Sequence, residues 1–169
     1  MTEIGLYYGS TMGNTKDAAV QIRTAFGTDI VKVASIAGAT AEDLNHFDVL
    51  ILGTSTWGFG DWQDDWAAFQ RELAQVDWSC KTVALFGLGD QYGYPDTFVD
   101  AMGLLHDVVA ARGAQVVGVW EGQGYDFESS CAHRDGRFVG LALDADNQSE
   151  MTGARIREWV QGLRGELGL

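Results

Sequence analysis

Runs of consecutive apolar residues alternate with amphipathic segments along the whole chain. Such runs are typical of strands buried on both faces of a sheet, and they predict strands at residues 4–8, 29–33, 48–53, 82–86 and 116–120. Apolar residues at helical spacing predict helices at 14–26, at about 61–75, from Pro95 to the stop at Gly113, and from about 149 onward. Residues 43–45 are expected to form a connector.

A polar stretch at 121–137 separates the fifth strand from a renewed apolar run at 138–143. Connections of this length in compact domains are usually functional or mobile. Because strands alternate with helices throughout, the pattern predicts one α/β domain over residues 1–169. We expect a doubly wound, five-stranded parallel sheet with helices on both faces and an insertion that interrupts strand five.

The turn after the first strand, residues 9–15, is rich in glycine and hydroxyl side chains. The first amides of a helix have no partner within the helix, and the helix dipole adds partial positive charge there. Ser10, Thr11 and Thr15 can supply further donors, so the turn is a candidate phosphate site. It lacks the spacing and the lysine of a Walker A loop, and an ordinary capped turn remains an open alternative.

Two further loops follow the third and fourth strands, and each carries an aromatic residue. Trp57 lies in residues 54–60, and Tyr94 closes residues 87–94, which also contain Asp90. In parallel sheets the ligand crevice lies beyond the carboxyl ends of the strands, where the strand order reverses. A phosphate turn with two aromatic faces indicates a planar ring on a phosphate tail.

Composition and charge narrow the function classes. The 169 residues include 24 acidic and 11 basic ones, a formal net charge of −13, which argues against nucleic acids and anionic membranes as partners. The charge suits docking onto basic protein surfaces, although a merely solvated acidic surface is equally open. The two cysteines and three scattered histidines predict neither a disulfide framework nor a metal site. With no membrane span and no secretion signal, we expect a cytoplasmic protein.

Taken together, these segments resemble the flavodoxins, small FMN-binding electron carriers, and in particular their long-chain group. The resemblance covers essentially all 169 residues. The segments that carry it are residues 9–15, 56–57, 89–94 with 96–100, the insertion at 121–137, and residues 143–149. It implies the strand order 2-1-3-4-5, an order known for flavodoxins, with FMN at the point where the strand order reverses.

The resemblance also implies a residue-level site. Residues 10–15 would hold the phosphate, Trp57 and Tyr94 would sandwich the isoalloxazine ring, Asp90 would meet its pyrimidine edge, and Asp146 would lie near the ribityl chain. The expected FMN-binding residues are Ser10, Thr11, Met12, Gly13, Asn14, Thr15, Thr56, Trp57, Gly58, Phe59, Gly60, Gly89, Asp90, Tyr94 and Asp146. No catalytic residue and no metal ligand is expected.

Met12 departs from the family pattern, because flavodoxins usually carry Thr or Ser at this position. One phosphate hydroxyl is therefore missing, while the backbone amide of Met12 remains. Losing a hydrogen bond to a charged group costs about 1.5–3 kcal/mol if nothing replaces it. We expect FMN binding to survive this loss.

Two hypotheses concern redox tuning. In flavodoxins the peptide after the tryptophan can flip, so that its carbonyl accepts a hydrogen bond from N5–H of the neutral semiquinone; Gly58 enters the required conformation at little steric cost. The negative charges of the phosphate and of the aspartates on or beside the two aromatic loops would destabilise the anionic hydroquinone. They would therefore lower the potential of the semiquinone/hydroquinone couple. These aspartates are Asp61, Asp64, Asp65, Asp90, Asp96 and Asp100.

The resemblance implies a low-potential one-electron carrier, and the acidic charge implies partner proteins with basic docking surfaces. They are a pyridine-nucleotide- or 2-oxoacid-linked reductase and an iron–sulfur or haem acceptor, with nitrogenase among the candidates. We expect a monomer. The insertion, with Tyr125, Phe127 and Glu128, either shapes partner docking or only covers the sheet edge.

Three rival functions stay open at this point. An FMN-dependent quinone or NAD(P)H oxidoreductase would use the same fold, but no separate nicotinamide site is visible, and residues 87–93 miss the dinucleotide fingerprint by one position. A phosphoryl-receiver domain needs an acceptor aspartate after strand three, where this chain has Thr54 to Trp57. A carbohydrate- or nucleotide-binding module without redox chemistry is the third.

Overall fold

A computed structural model describes residues 2–57 and 59–169 of the chain. Its elements follow one another as an alternation of strands and helices. In chain order they are β1 (Ile4–Tyr8), α1 (Asn14–Phe26), β2 (Val31–Ser35), α2 (Ala41–Asn45), β3 (Val49–Trp57), β4 (Asp61–Trp62), α3 (Asp64–Leu73), β5 (Thr82–Leu88), α4 (Asp100–Ala111), β6 (Gln115–Val117), β7 (His133–Arg134), β8 (Arg137–Phe138), β9 (Leu141–Leu143) and α5 (Ser149–Leu167).

The main sheet is parallel and has the order β2-β1-β3-β5-β6. The central strand β3 is paired on both sides, and Leu50, Ile51 and Leu52 in it are completely buried. This explains its unbroken apolar run, since both of its faces are covered. Helices α1 and α5 pack together, and α4 packs against β3 and β5. The predicted fold class, with strand order 2-1-3-4-5 in the numbering of the five main strands, is confirmed.

The fifth strand position is occupied by two separate segments. β6 pairs with the first half of β5, and β9 pairs with Phe86 to Leu88 in its second half. The insertion between them carries the antiparallel hairpin β7–β8, turned by Asp135 and Gly136, both with positive φ. The expected strand 116–120 is thus shorter, and the run 138–143 is divided between β8 and β9.

Several predicted boundaries are wrong. The helix expected from Pro95 begins at Asp100, because residues 91–99 form turns and Val99 adopts a left-handed conformation (φ 48°) just before the helix. The helix expected from residue 61 begins at Asp64, after the short strand β4, which pairs with Thr56 and Trp57. β2 lies two residues later than the predicted 29–33.

Helix α2 replaces the connector expected at 43–45. It spans Ala41–Asn45 and is held by a capping box, in which the Asp43 N–H donates to Thr40 Oγ1 and the Thr40 N–H donates to Asp43 Oδ2. A helix of this length is too short to produce a visible apolar period, so the pattern could not indicate it. Among the described residues, no helix is both long and apolar enough to cross a membrane.

Candidate cofactor site

A cavity of about 400 Å³ lies at the carboxyl ends of the central strands. Four chain segments form its wall: the loop after β1, the end of β3, the loop after β5 and the loop after β9. Its lining residues are Ser10, Thr11, Met12, Asn14, Thr15, Ser55, Thr56, Trp57, Leu88, Gly89, Asp90, Tyr94, Ala145 and Asp146. This volume is in the range of small-molecule and cofactor pockets.

Most of the predicted binding residues come together in this wall. Of the predicted residues that the structure describes, Gly13, Phe59 and Gly60 do not line the cavity. Gly58 lies outside the described residues, so the peptide-flip hypothesis stays a prediction. Ser55, Leu88 and Ala145 line the cavity without having been predicted.

The hydroxyl loop, residues 9–15, joins β1 to the start of α1. Gly13 has a φ of 90°, and its N–H donates to Ser10 Oγ at 3.0 Å, which turns the chain into the helix. Thr15 is buried, whereas Met12 is largely exposed. The loop therefore presents hydroxyl groups and the free amides of a helix start to the cavity.

Gln63 supports the hydroxyl loop by a hydrogen bond to Thr11, and the sequence pattern did not indicate this role. Its buried side chain accepts hydrogen bonds from the N–H groups of Asp65 and Trp66 and so caps α3. The same side chain donates through Nε2 to Thr11 Oγ1 at 3.2 Å. Gly9 makes room for it, because a Cβ at Gly9 would collide with Gln63 Oε1 and Trp66.

Trp57 and Tyr94 present aromatic surface to the cavity. They are 42% and 48% exposed, although large aromatic side chains are normally more deeply buried. Trp57 Nε1 donates to Ser55 Oγ at 3.0 Å, which restrains the indole at the end of β3. Thr56 Oγ1 accepts from the Ala101 N–H at the start of α4, which ties the end of β3 to this helix.

Two acidic loops, residues 89–94 and 144–147, form the other side of the cavity. Burial opposes ionisation of Asp90, but hydrogen bonds from the Gly93 N–H, Asn147 and the Tyr92 N–H outweigh it and lower its pKa. For Asp146 the pKa is raised by partial burial and by the charges of Asp90 and Asp144. Of the described residues that line the cavity, none is Lys or Arg.

The insertion packs over the edge of the sheet beside the acidic loops. Tyr125 accepts a hydrogen bond from Trp120 Nε1 and donates to the carbonyl of Ala142 at 2.6 Å; burial raises its pKa to about 12. Its ring and that of Phe127 pack against Phe98. Tyr125 and Phe127 therefore pack over the edge of the sheet, whereas Glu128 is exposed, and a role of the insertion in partner docking stays a prediction.

Comparison with known proteins agrees with this geometry. A family model described as Flavodoxin matches residues 6–159. A flavodoxin from Nostoc sp. is 48% identical to this chain, in an alignment that covers 99% of this chain and 98% of the relative. A flavodoxin from Picosynechococcus sp. is also 48% identical, and the alignment covers 100% of both chains. The crystal structure of Fusobacterium nucleatum flavodoxin bound to flavin mononucleotide matches with a TM-score of 0.92 at 30% identity, covering 98% of this chain and 99% of that one. This chain belongs to the flavodoxin family.

Proposed function

We propose that this chain binds one FMN in the cavity and carries electrons, one at a time, between partner proteins. The observation that carries the proposal is the composition of the cavity wall. A hydroxyl loop at a helix start and two half-exposed aromatic side chains, Trp57 and Tyr94, line the same space of about 400 Å³. FMN has the two chemical features that these groups bind best, a phosphate and a flat aromatic ring system.

The donors of the hydroxyl loop fit a phosphate. Ser10, Thr11 and Thr15 offer hydroxyl groups, and the amides at the start of α1 offer N–H groups without partners in the helix. No cation in the described wall neutralises the phosphate, so hydrogen bonds and the helix dipole supply its binding energy. The side chain of Met12 has no hydroxyl group, so only its backbone N–H can donate a hydrogen bond to the phosphate.

The two aromatic side chains fit the ring. Covering one face of Trp57 removes about 100 Å² of apolar surface from water, worth roughly 2–3 kcal/mol. Their present exposure is explained if a ring covers them in the functional state. FMN supplies the one-electron chemistry when bound, and the protein binds it, orients it and keeps water from its faces.

The charge around the cavity favours a low potential. Asp90 and Asp146 line the wall, and each carboxylate opposes added negative charge by about 0.4 kcal/mol at ~10 Å in water. With all six aspartates on or beside the two aromatic loops and the phosphate counted, such interactions would amount to a shift on the order of 100 mV before screening by salt, since 2.3 kcal/mol corresponds to that. The chain would therefore act as a strong one-electron donor.

The net charge of −13 supports docking to basic surfaces of partner proteins. We propose a pyridine-nucleotide- or 2-oxoacid-linked reductase as donor and an iron–sulfur or haem protein, nitrogenase included, as acceptor. The protein would act in the cytoplasm as a monomer. One contiguous hydrophobic core supports a single domain over residues 1–169. Neither the family nor any of the residues that the structure describes favours the oxidoreductase alternative.

Titration of the apoprotein with FMN tests the proposal. We expect quenching of tryptophan fluorescence at a stoichiometry of one, a yellow product, and a blue species during stepwise reduction. Riboflavin, which lacks the phosphate, should bind more weakly. A preparation that stays colourless after FMN treatment would contradict the proposal. Rapid oxidation of NADPH without a separate reductase would favour the oxidoreductase instead.

A further inference from the structure

The carboxylate of Asp144 lies behind the cavity wall rather than in it. It is completely buried and accepts five hydrogen bonds: from the backbone N–H and Nε2 of Gln91, from the Asp146 N–H, and from the backbone N–H and Nδ2 of Asn147. The donor–acceptor distances are 2.8–3.1 Å. All five donors belong to the two acidic loops.

The network extends in both directions from this carboxylate. Asn147 Nδ2 also donates to Asp90 Oδ1, which in turn accepts the N–H groups of Tyr92 and Gly93. On the other side, Gln91 Oε1 accepts the N–H of Asp126 in the insertion. The two acidic loops and the insertion are therefore tied to a single buried group.

We propose that Asp144 is a positioning residue, which fixes the two acidic loops so that Asp90, Tyr94 and Asp146 present a preformed wall to the flavin ring. A buried carboxylate is costly unless its lone pairs are satisfied, and here the donors come from the loops it orders. Ordering the loops before binding removes an entropy cost that the ligand would otherwise have to meet. This inference rests on the proposed FMN site.

The substitution Asp144→Asn tests it with almost no change in volume. In Asp144→Asn one carboxylate oxygen becomes an –NH₂ group. This group is a donor and faces N–H donors of the loops, so the hydrogen bonds on that side of the side chain are lost. The acidic loops form the side of the cavity where we place the flavin ring. The hydroxyl loop, where we place the phosphate, keeps its bonds to Ser10 and Gln63. We therefore expect binding of FMN and of riboflavin to weaken by the same factor, tenfold or more, at a temperature where both proteins are folded.

Two further readouts separate positioning from a general loss of stability. The absorption bands of FMN bound at saturation should shift in Asp144→Asn, because Tyr94 and Asp90 are displaced. In the apoprotein, amide hydrogen exchange should accelerate in residues 89–94 and 144–148 and stay unchanged in residues 9–15. The matched control is Asp107→Asn, which removes a carboxylate that pairs with Arg134 outside the cavity and should leave both affinities within twofold.

Equal affinities for wild type and Asp144→Asn would overturn the inference, as would weaker FMN binding with unchanged riboflavin binding, which would assign the effect to the phosphate end. If wild type binds no FMN, the proposed function fails and the role of Asp144 toward the flavin ring fails with it. The exchange pattern of the apoprotein then still shows whether Asp144 orders the two acidic loops. If Asp144→Asn does not fold, Gln91→Met serves instead, since it removes one donor to Asp144 and the link to Asp126. It should weaken both flavins threefold or more, and no change would contradict the inference.

Discussion

The two sides of the cavity are built in different ways. The hydroxyl loop is one continuous turn, and its main internal hydrogen bond joins Gly13 to Ser10, three positions apart. The acidic loops come from two distant parts of the chain, and the bond between Gln91 and Asp144 spans 53 positions. The first side is thus built mainly from local sequence, with one long-range hydrogen bond from Gln63 to Thr11, and the second is built from a buried polar network. The two sides should respond differently to substitution. A change at the phosphate site should weaken FMN alone, whereas a change at the ring site should weaken FMN and riboflavin alike.

The largest expected effect is on the ring side. Trp57→Ala should weaken FMN and riboflavin alike by roughly 30- to 150-fold, which corresponds to the loss of about 2–3 kcal/mol of buried aromatic contact. Fluorescence of the free flavins during titration measures both affinities. Tyr92→Ala is the control, since Tyr92 is an exposed aromatic residue that does not line the cavity. A loss restricted to FMN would contradict the assignment of Trp57 to the ring.

The next effect is on the phosphate end. Thr15→Val keeps the buried shape but removes a hydroxyl beside the start of α1. Because a hydrogen bond to a charged group is worth about 1.5 kcal/mol or more, FMN should bind roughly tenfold more weakly, while riboflavin binding should not change. Isothermal titration of both ligands decides this. Equal weakening of both would show that the threonine acts on the loop fold rather than on the phosphate.

The same contrast explains what the sequence could predict. The hydroxyl loop was visible because its glycines and hydroxyls are contiguous. Trp57 and Tyr94 were visible because each comes after a buried apolar run, although in the structure Trp57 is the last residue of β3 rather than part of a loop. Gln63 was not, because glutamine is not a preferred N-cap residue and its bond to Thr11 spans 52 positions. Pro95 gave a false helix start, since the left-handed Val99 delays α4 to Asp100.

A third, smaller effect concerns Met12, which is 76% exposed and lines the cavity in the hydroxyl loop, where we propose that the phosphate binds. Met12→Thr adds a hydroxyl without removing a buried contact, so FMN should bind about three- to tenfold more tightly. Met12→Leu is the matched control, because it keeps an apolar side chain and should leave the affinity unchanged. Tighter binding of riboflavin by the same factor would place residue 12 against the ring instead.

The smallest effect should appear in the acidic loops without any ligand. The raised pKa of Asp146 means that the folded protein favours the protonated carboxyl more than the unfolded chain does. The stabilising contribution is complete below the unfolded pKa and is lost as the pH rises through the folded pKa. At neutral pH the charged side chain therefore opposes folding, chiefly through its partial burial and the charges of Asp90 and Asp144.

Asp146→Asn should consequently raise the melting temperature of the apoprotein by about 1–2 °C at pH 7, the size expected of a surface substitution in a domain of this length. The gain should vanish in acid, where the native carboxyl is already protonated. Thermal unfolding followed by circular dichroism across this pH range measures it. A gain in melting temperature that persists unchanged in acid would arise from something other than charge. It would contradict the view that repulsion between the carboxylates of the acidic loops destabilises the folded protein.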